Sequence, residues 1–128
     1  MKLIISETSP YARKCRALIR EKGLQGRVQE VVSLPFDDDA ELLDANPLGK
    51  VPALTRDGQS TLVDSPLICE FLDSLDSPLW VPASGPARWR VLRFQALADG
   101  LLDLTIGRRI ESVRDEKLRY GFWIGRQE

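Results

Sequence analysis

Two short stretches near the middle of the chain carry groups that can bind a small peptide. The first is Val51-Pro52, which precedes a short apolar run. Proline lacks the backbone donor that strand pairing uses and restricts the residue before it to extended geometry, so we expect Pro52 at the first residue of a strand. If the Val51-Pro52 bond is cis, the N–H and C=O of Val51 point outward and can pair with an extended peptide.

The second stretch is Asp64-Ser65-Pro66, which joins the end of a strand to the start of a helix. We expect Ser65 to be the helix cap and Pro66 the first helical residue. The free N–H groups of a helix start favour a carboxylate, and the Asp64 carboxylate beside them can bind an ammonium group. The head group of one α-amino acid carries both a carboxylate and an ammonium group, so it can bind to the helix start and to Asp64 together. The stretch from residue 46 to residue 65 therefore predicts a site for a peptide with a free α-amino acid terminus.

The pattern around these stretches predicts the elements that position them. Ser9-Pro10 begins a helix that Gly23 closes, and Asp57-Gly58 joins two antiparallel strands. The predicted strands lie at residues 2–5, 27–32, 53–56 and 60–63, and the predicted helices at residues 10–22, 40–45 and 65–76. The order β-α-β-α-β-β-α is that of the α/β thioredoxin-like fold, with a mixed four-stranded sheet. The basic residues of the first helix are expected to form a solvated face: Arg13, Lys14, Arg16 and Arg20.

The last third of the chain has a different character. Residues 77–86 are rich in proline and are predicted to be a linker, and residues 88–109 follow one long helical pattern. A further helix is expected to begin near Asp115 or Glu116. We therefore divide the chain into a first domain at residues 1–76, the linker, and the first helices of an all-helical domain at residues 87–128. A lone pair of helices leaves much apolar surface without a partner. We therefore expect that the chain is a fragment or that another subunit covers this surface.

Composition narrows the function classes. The chain has 128 residues, with 18 basic and 19 acidic residues and a net charge of -1, which argues against nucleic acid as a partner. It has no long apolar run and no signal-peptide pattern, which predicts a cytoplasmic protein without a membrane anchor. The absence of histidine excludes a histidine-based triad or metal ligand. Cys15 and Cys69 lie in apolar helical patterns and are expected in the core, with no metal site.

The two central stretches resemble a known family. The sequence reads NPLGKVPAL from Asn46 and DSPLI from Asp64, and this resembles the glutathione-binding half of the soluble glutathione S-transferases. The resemblance is strong over residues 1–80 and weaker beyond. It implies a bacterial-looking, serine-type enzyme that uses glutathione as co-substrate and an electrophilic small molecule as the second substrate. It also implies a homodimer, with a role in detoxification.

The resemblance implies a catalytic role for Ser9, which occupies the place of the family's catalytic Tyr, Ser or Cys. A hydroxyl donor at a helix N-terminus stabilises the glutathione thiolate over the thiol and so lowers its pKa. Ser9 can also be a simple helix cap. Tyr11 is the alternative catalytic residue, or it lines the pocket for the electrophile, and Thr8 is a weaker alternative.

Further roles follow from the same resemblance. Val51 is expected to pair through its backbone with the cysteinyl part of glutathione, and Asp64 and Ser65 to hold the γ-glutamyl carboxylate and amine. Lys50 is placed near the glycine carboxylate. Pro52 belongs to the binding stretch but indicates the fold more than the function, because thioredoxin-like proteins in general share it.

Two other functions and one further residue stay open at this point. Some members of the family, such as the stringent starvation proteins, bind RNA polymerase without using glutathione in chemistry. Others are glutathione-dependent reductases or lyases, but these often place cysteine where Ser9 stands. A Cys-x-x-Cys pair is excluded by Ser9 and Ala12. Asp99 occupies the position of an aspartate that reaches the neighbouring subunit's glutathione in some members, or it is a plain surface carboxylate.

Overall fold

The computed structural model describes residues 1–34, 37 and 39–126. This part of the chain contains four strands and five α-helices. The strands are β1 (Lys2–Ile5), β2 (Gln29–Val32), β3 (Ala53–Arg56) and β4 (Gln59–Val63), and the helices are α1 (Pro10–Glu21), α2 (Ala40–Ala45), α3 (Ser65–Asp73), α4 (Gly85–Val113) and α5 (Gly121–Arg126). A single turn of 3₁₀ helix, Glu116–Leu118, separates α4 from α5.

The four strands form one mixed sheet in the order β2-β1-β3-β4. Strand β1 pairs in parallel with β2 and antiparallel with β3, while β3 pairs antiparallel with β4. The parallel pair requires a crossover, which α1 supplies. The predicted thioredoxin-like arrangement followed by a helical region is confirmed.

Successive residues of a strand face opposite sides of the sheet, and this alternation divides the core in two. Leu3 and Ile5 of β1 pack with α1 and α3 on one side, whereas Ile4 packs with α2 on the other. Cys15 is buried in the first cluster, and Cys69 is partly buried against it. The core position predicted for Cys15 is therefore confirmed.

Local signals at the ends of α1 have the predicted effect. Ser9 is the N-cap, Pro10 is the first helical residue, and Gly23 follows the C-cap with a φ of +67°. Glycine is favoured there because a side chain destabilises this left-handed conformation. The solvated basic face predicted for this helix holds for Arg13 and Arg20, which are exposed, but not for Lys14 and Arg16, which are partly enclosed. Lys14 pairs with Asp99 of α4 across 2.5 Å, and Arg16 and Arg20 both pair with Glu30 of β2, at 2.8 and 3.1 Å.

A buried ion pair joins the C-terminal ends of α1 and α3. The Lys22 ammonium lies 2.6 Å from a carboxylate oxygen of Asp73, and both side chains are almost fully enclosed, with exposed fractions of 4% and 3%. The ammonium also donates to the backbone carbonyls of Asp73, Asp76 and Pro78, and the carboxylate accepts from the N–H groups of Trp80 and Val81. The pair therefore fixes the segment that leads from α3 to α4.

Helix α4 is longer than predicted and exposes much of its apolar surface. It extends from Gly85 to Val113 rather than over residues 88–109, and α3 ends at Asp73 rather than near residue 76. The three tryptophans are about half exposed or more. A stripe of exposed side chains at spacings of three and four follows one face of α4: Phe94, Leu97, Leu101 and Leu104. None of the described helices is both long and apolar enough to cross a membrane.

The buried ion pair gives the first testable prediction. The Asp73→Ala variant leaves the Lys22 ammonium buried without its carboxylate, so we expect the free energy of unfolding to fall by about 3–5 kcal/mol. Asp76→Ala is the matched control, because its carboxylate pairs with Arg27 at an exposed site and such pairs contribute about 1 kcal/mol or less. Urea denaturation measures both. Equal losses in the two variants would contradict a special role for the buried pair.

The same pair predicts an acid dependence of stability. Burial alone raises the pKa of Asp73, but hydrogen bonds from Lys22, Val81 and Trp80 outweigh it and hold this pKa below its ordinary value. The stabilising contribution is therefore present above the unfolded pKa of about 3.9 and is lost as the pH falls through the lowered pKa of the folded state. The Asp73→Asn variant should lose this part of the pH dependence in denaturation curves recorded across the acid range.

Candidate functional site

The sheet register gathers three loops at one end of the sheet. Ala53, the first residue of β3, pairs with Ile4 near the end of β1 and with Val63 at the end of β4. The segment after β1 leads to Ser9. Val51 precedes β3 by two residues, and Ser65 follows β4 by two residues. The structure therefore brings Ser9, Val51 and Ser65 to the same end of the sheet, which we call the binding edge.

Ser9 combines a capping role with a free donor. Its side-chain oxygen accepts a hydrogen bond from the Ala12 N–H at 3.2 Å, which caps α1. Among the described residues, no hydrogen bond uses the proton of its hydroxyl. A hydroxyl that accepts from the backbone can still donate to a ligand. The neighbouring Thr8 hydroxyl instead lies 3.3 Å from that of Ser6.

Tyr11 is engaged with α4. Its hydroxyl donates to a carboxylate oxygen of Asp103 at 2.5 Å. Burial, the hydrogen bond to Asp103 and the nearby carboxylates of Asp99 and Asp64 together raise the pKa of Tyr11 well above its ordinary range. The phenol therefore keeps its proton, and that proton is directed at Asp103 rather than at a ligand.

The turn that presents Val51 is held by a buried asparagine. The Asn46 side chain donates to the Lys50 carbonyl at 2.7 Å and accepts from the Leu48 N–H at 3.1 Å. The Val51-Pro52 bond is cis. Within the part of the chain that the structure describes, neither backbone group of Val51 has a hydrogen-bond partner. The Lys50 side chain is exposed at the edge of this turn.

The Asp64-Ser65 step differs from the prediction by one residue. Asp64, not Ser65, is the N-cap of α3, and Ser65 is the first helical residue. Asp64 has φ 74° and ψ 126°, and its exposed carboxylate makes no capping hydrogen bond. A non-glycine residue in this region is strained, and such strain is concentrated at functional sites. The turn therefore directs the carboxylate away from the helix it caps.

Ser65 is the most unusual polar group at this edge. It is only 1% exposed, and its hydroxyl has no hydrogen-bond partner among the described residues. A buried hydroxyl without a partner costs about 1–3 kcal/mol. At the first turn of α3, where backbone N–H groups are also free, a bound carboxylate would supply the missing partner.

Asp99 lies on α4 and pairs with Lys14 of the same chain, as described above. Sequence reasoning identified Asp99 but not Lys14 as its partner, and it gave no role to Asn46 or Asp103. A signal for Asn46 was available, since asparagine side chains commonly bond to the backbone two residues further on. No local pattern identifies the contact between Tyr11 and Asp103, which are 92 residues apart.

Comparisons with known proteins show the family to which this chain belongs. Residues 8–75 match the family described as the N-terminal domain of glutathione S-transferase. An uncharacterized GST-like protein, YibF, of Escherichia coli (strain K12) is 38% identical over 104 residues, which are 80% of this chain and 50% of that protein. The chain belongs to the glutathione S-transferase family.

Solved structures agree with this assignment. A glutathione transferase family member from Pseudomonas fluorescens Pf-5 with bound glutathione is 37% identical, with a TM-score of 0.92, over 98% of this chain and 63% of that one. A glutathione S-transferase from Methylobacillus flagellatus KT with glutathione bound is also 37% identical, with a TM-score of 0.82, over 98% and 62%. The chain therefore spans half to two thirds of the length of these relatives.

The strained turn at Asp64 gives a prediction about stability. Asp64→Gly removes the side chain that disfavours a positive φ, so we expect the free energy of unfolding to rise by about 0.5–1 kcal/mol. Asp64→Ala keeps a Cβ atom and should not gain this stability. Urea denaturation of the two variants checks the expectation. A glycine variant no more stable than the alanine variant would show that the turn is not strained.

Proposed function

We propose that this chain binds glutathione at the edge formed by Ser9, Val51 and Ser65 and stabilises its thiolate for attack on an electrophilic small molecule. The observation that carries the proposal is the buried, unpartnered hydroxyl of Ser65 at the first turn of α3. The binding of glutathione by the two solved relatives described above supports it. The chain spans only part of the length of those relatives, so the transferase activity is proposed for the whole protein and not shown for this chain.

The peptide is held at both of its ends in this proposal. The γ-glutamyl carboxylate accepts from the Ser65 hydroxyl and the N–H groups of the first turn of α3, while its ammonium pairs with Asp64. The cysteinyl part pairs with the unpaired backbone of Val51 as an added strand. The Lys50 ammonium, exposed beside this turn, meets the glycine carboxylate.

Ser9 then faces the sulfur of the bound peptide. Its hydroxyl donates to the thiolate, and the positive end of the α1 dipole adds to the stabilisation, so the thiol loses its proton more readily near neutral pH. The thiolate attacks the electrophilic carbon to form a thioether. Tyr11 is less suited to this role because its proton is directed at Asp103.

The assembly and location are proposed on separate grounds. The exposed stripe of α4 is a surface that a second copy of the chain can cover, which supports the homodimer. In such a dimer the predicted contact of Asp99 with the neighbouring glutathione competes with its ion pair to Lys14. A cytoplasmic location and a role in detoxification follow from the proposed use of cellular glutathione. The division of the chain into residues 1–76, 77–86 and 87–128 stays a prediction.

Glutathione binding is tested by calorimetric titration of the chain and its variants. Asp64→Gly removes the charged partner of the γ-glutamyl ammonium while relaxing the backbone, so we expect binding to weaken by about 1–3 kcal/mol without loss of stability. Asp57→Gly, at the turn between β3 and β4, is a control that should bind normally. Equal affinity of Asp64→Gly and wild type would overturn the role of Asp64. No binding to wild type would favour the protein-binding alternative.

The role of Ser9 is tested by steady-state kinetics with glutathione and a generic electrophile. Ser9→Ala removes the donor, so we expect kcat to fall by about 10²-fold with little change in glutathione affinity. The same change removes a helix cap, which costs about 1 kcal/mol of stability.

Two further variants separate catalysis from capping. Ser9→Asp keeps the cap of α1 but replaces the donor by a negative charge, so it should be stable and inactive, whereas Ser9→Thr should keep much of the activity. The alternative residue is tested by Tyr11→Phe, which should remain active. Loss of activity in Tyr11→Phe together with an active Ser9→Asp would reverse the two roles.

A further inference from the structure

The two cysteines of the chain lie against one another between α1 and α3. Cys15 belongs to α1 and Cys69 to α3, and their sulfur atoms are 3.7 Å apart although the residues are 54 positions apart in sequence. Both are free thiols. The sulfurs need to approach by about 1.6 Å more to reach the length of a disulfide bond. Side-chain rotation on two helices already in contact can supply part of that approach.

The two thiols have different surroundings. Cys15 is fully buried, and its thiol also lies 3.8 Å from the Ser65 carbonyl as a donor. Cys69 is partly exposed and lines a groove of about 510 Å³ between α1, α3 and α4, together with Lys14. An oxidant that enters this groove meets Cys69 before Cys15.

We propose that Cys15 and Cys69 form a redox-active dithiol, in which Cys69 is the site of attack on a hydroperoxide and Cys15 is the resolving thiol. Such a pair is not part of the proposed transferase site, which uses the sulfur of glutathione. The asymmetry of the pair matches that of redox-sensing cysteines, which are accessible, have thiolate character and lie beside a resolving thiol.

Electrostatics agree with this order of events. The hydrogen bond from Cys15 and the Lys14 ammonium outweigh burial and lower the pKa of Cys69. The contact with Cys69 and burial raise the pKa of Cys15. Thiolate character is therefore concentrated on the sulfur that the groove exposes.

The proposed reaction balances in two steps. With hydrogen peroxide as the oxidant, the Cys69 thiolate attacks one oxygen, so that an S–O bond forms, the O–O bond breaks and the departing hydroxide takes up the proton that the Cys69 thiol released and leaves as water. The Cys15 sulfur then attacks the Cys69 sulfur, the S–S bond forms, and the S–O bond breaks to release a second water that carries the Cys15 proton. Two thiols supply two electrons, and one peroxide becomes two waters.

Oxidation would change the first turn of α3 as well as its second. The single proton of the reduced Cys15 thiol has the Ser65 carbonyl and the Cys69 sulfur within reach as acceptors, and the disulfide has no proton for either. The cross-link also joins two helices that are distant in sequence, which constrains the unfolded chain. We therefore expect the oxidised protein to unfold at a higher temperature than the reduced protein.

The experiment treats the reduced chain with hydrogen peroxide and counts thiols by maleimide labelling under denaturing conditions. We expect both thiols to be lost, with an intact mass lower by two hydrogen atoms, a peptide pair that joins Cys15 to Cys69, and full reversal by dithiothreitol. Two free thiols after treatment, or a disulfide that joins separate chains, would overturn the proposal. These measurements use the wild-type chain alone, so they decide the matter even where a variant does not fold.

Two variants then test the order of the steps. In Cys15→Ser the Cys69 sulfenic acid has no resolving thiol, so dimedone should capture it. In Cys69→Ser the buried Cys15 should keep its thiol over the same period. Oxidation of Cys15 in Cys69→Ser as fast as in wild type would overturn the assignment of Cys69 as the attacked site.

Discussion

The buried ion pair between Lys22 and Asp73 is the constraint on which the rest of the structure depends. It joins the C-terminal ends of α1 and α3, and the N-terminal ends of the same two helices carry Ser9 and Ser65. The same two charged groups bind the backbone that leads into α4. A charge pair this enclosed stabilises the fold only when well-formed hydrogen bonds complete it, since the free-energy cost of desolvation otherwise exceeds the electrostatic attraction. Here backbone groups on both sides complete the pair.

The fixed course of α4 explains why the hydroxyls of Tyr11 and Ser9 differ in their hydrogen bonds. Two contacts join α4 to the first turns of α1, from Tyr11 to Asp103 and from Lys14 to Asp99. The first of these uses the only proton of the phenol. The hydroxyl of Ser9 receives a hydrogen bond from its own helix and still has its proton to give. Two hydroxyls in one helical turn thus differ in whether they have a proton free to donate, because only Tyr11 has a long-range partner.

The sequence predicts the sheet and the turn before β3 well because both depend on local signals. Apolar runs, the Asp57-Gly58 turn, the cap at Ser9 and the Val-Pro step each act within a few residues. Side-chain partners are harder to predict. Nothing near Lys22 in the chain indicates that Asp73 lies beside it. The ion pairs of Lys14 and Arg16 are missed for the same reason, because their partners Asp99 and Glu30 lie on other elements.

The error at Asp64-Ser65 has a similar physical cause. Serine before proline is a common cap, and local statistics therefore favour Ser65 in that role. The structure instead places Asp64 at the cap with a positive φ. No local preference of an aspartate that precedes a serine requires this conformation. The next residue, Ser65, is buried at the first turn of α3, and its hydroxyl lacks a partner among the described residues. A residue at odds with its local preference is itself a sign that the site serves something other than the fold.

The distribution of sulfur in the chain separates the proposed transfer chemistry from the proposed redox chemistry. Ser9 follows β1 and brings a hydroxyl oxygen to the binding edge. The two cysteines lie further along α1 and α3, on the packed faces of those helices. A hydroxyl at the edge can stabilise a thiolate but cannot form a mixed disulfide with it, which argues against the reductase alternative at that site. Oxidation of the cysteine pair would then occur without competing for the glutathione sulfur. The contact between Cys15 and the Ser65 carbonyl is where the two proposed sites meet.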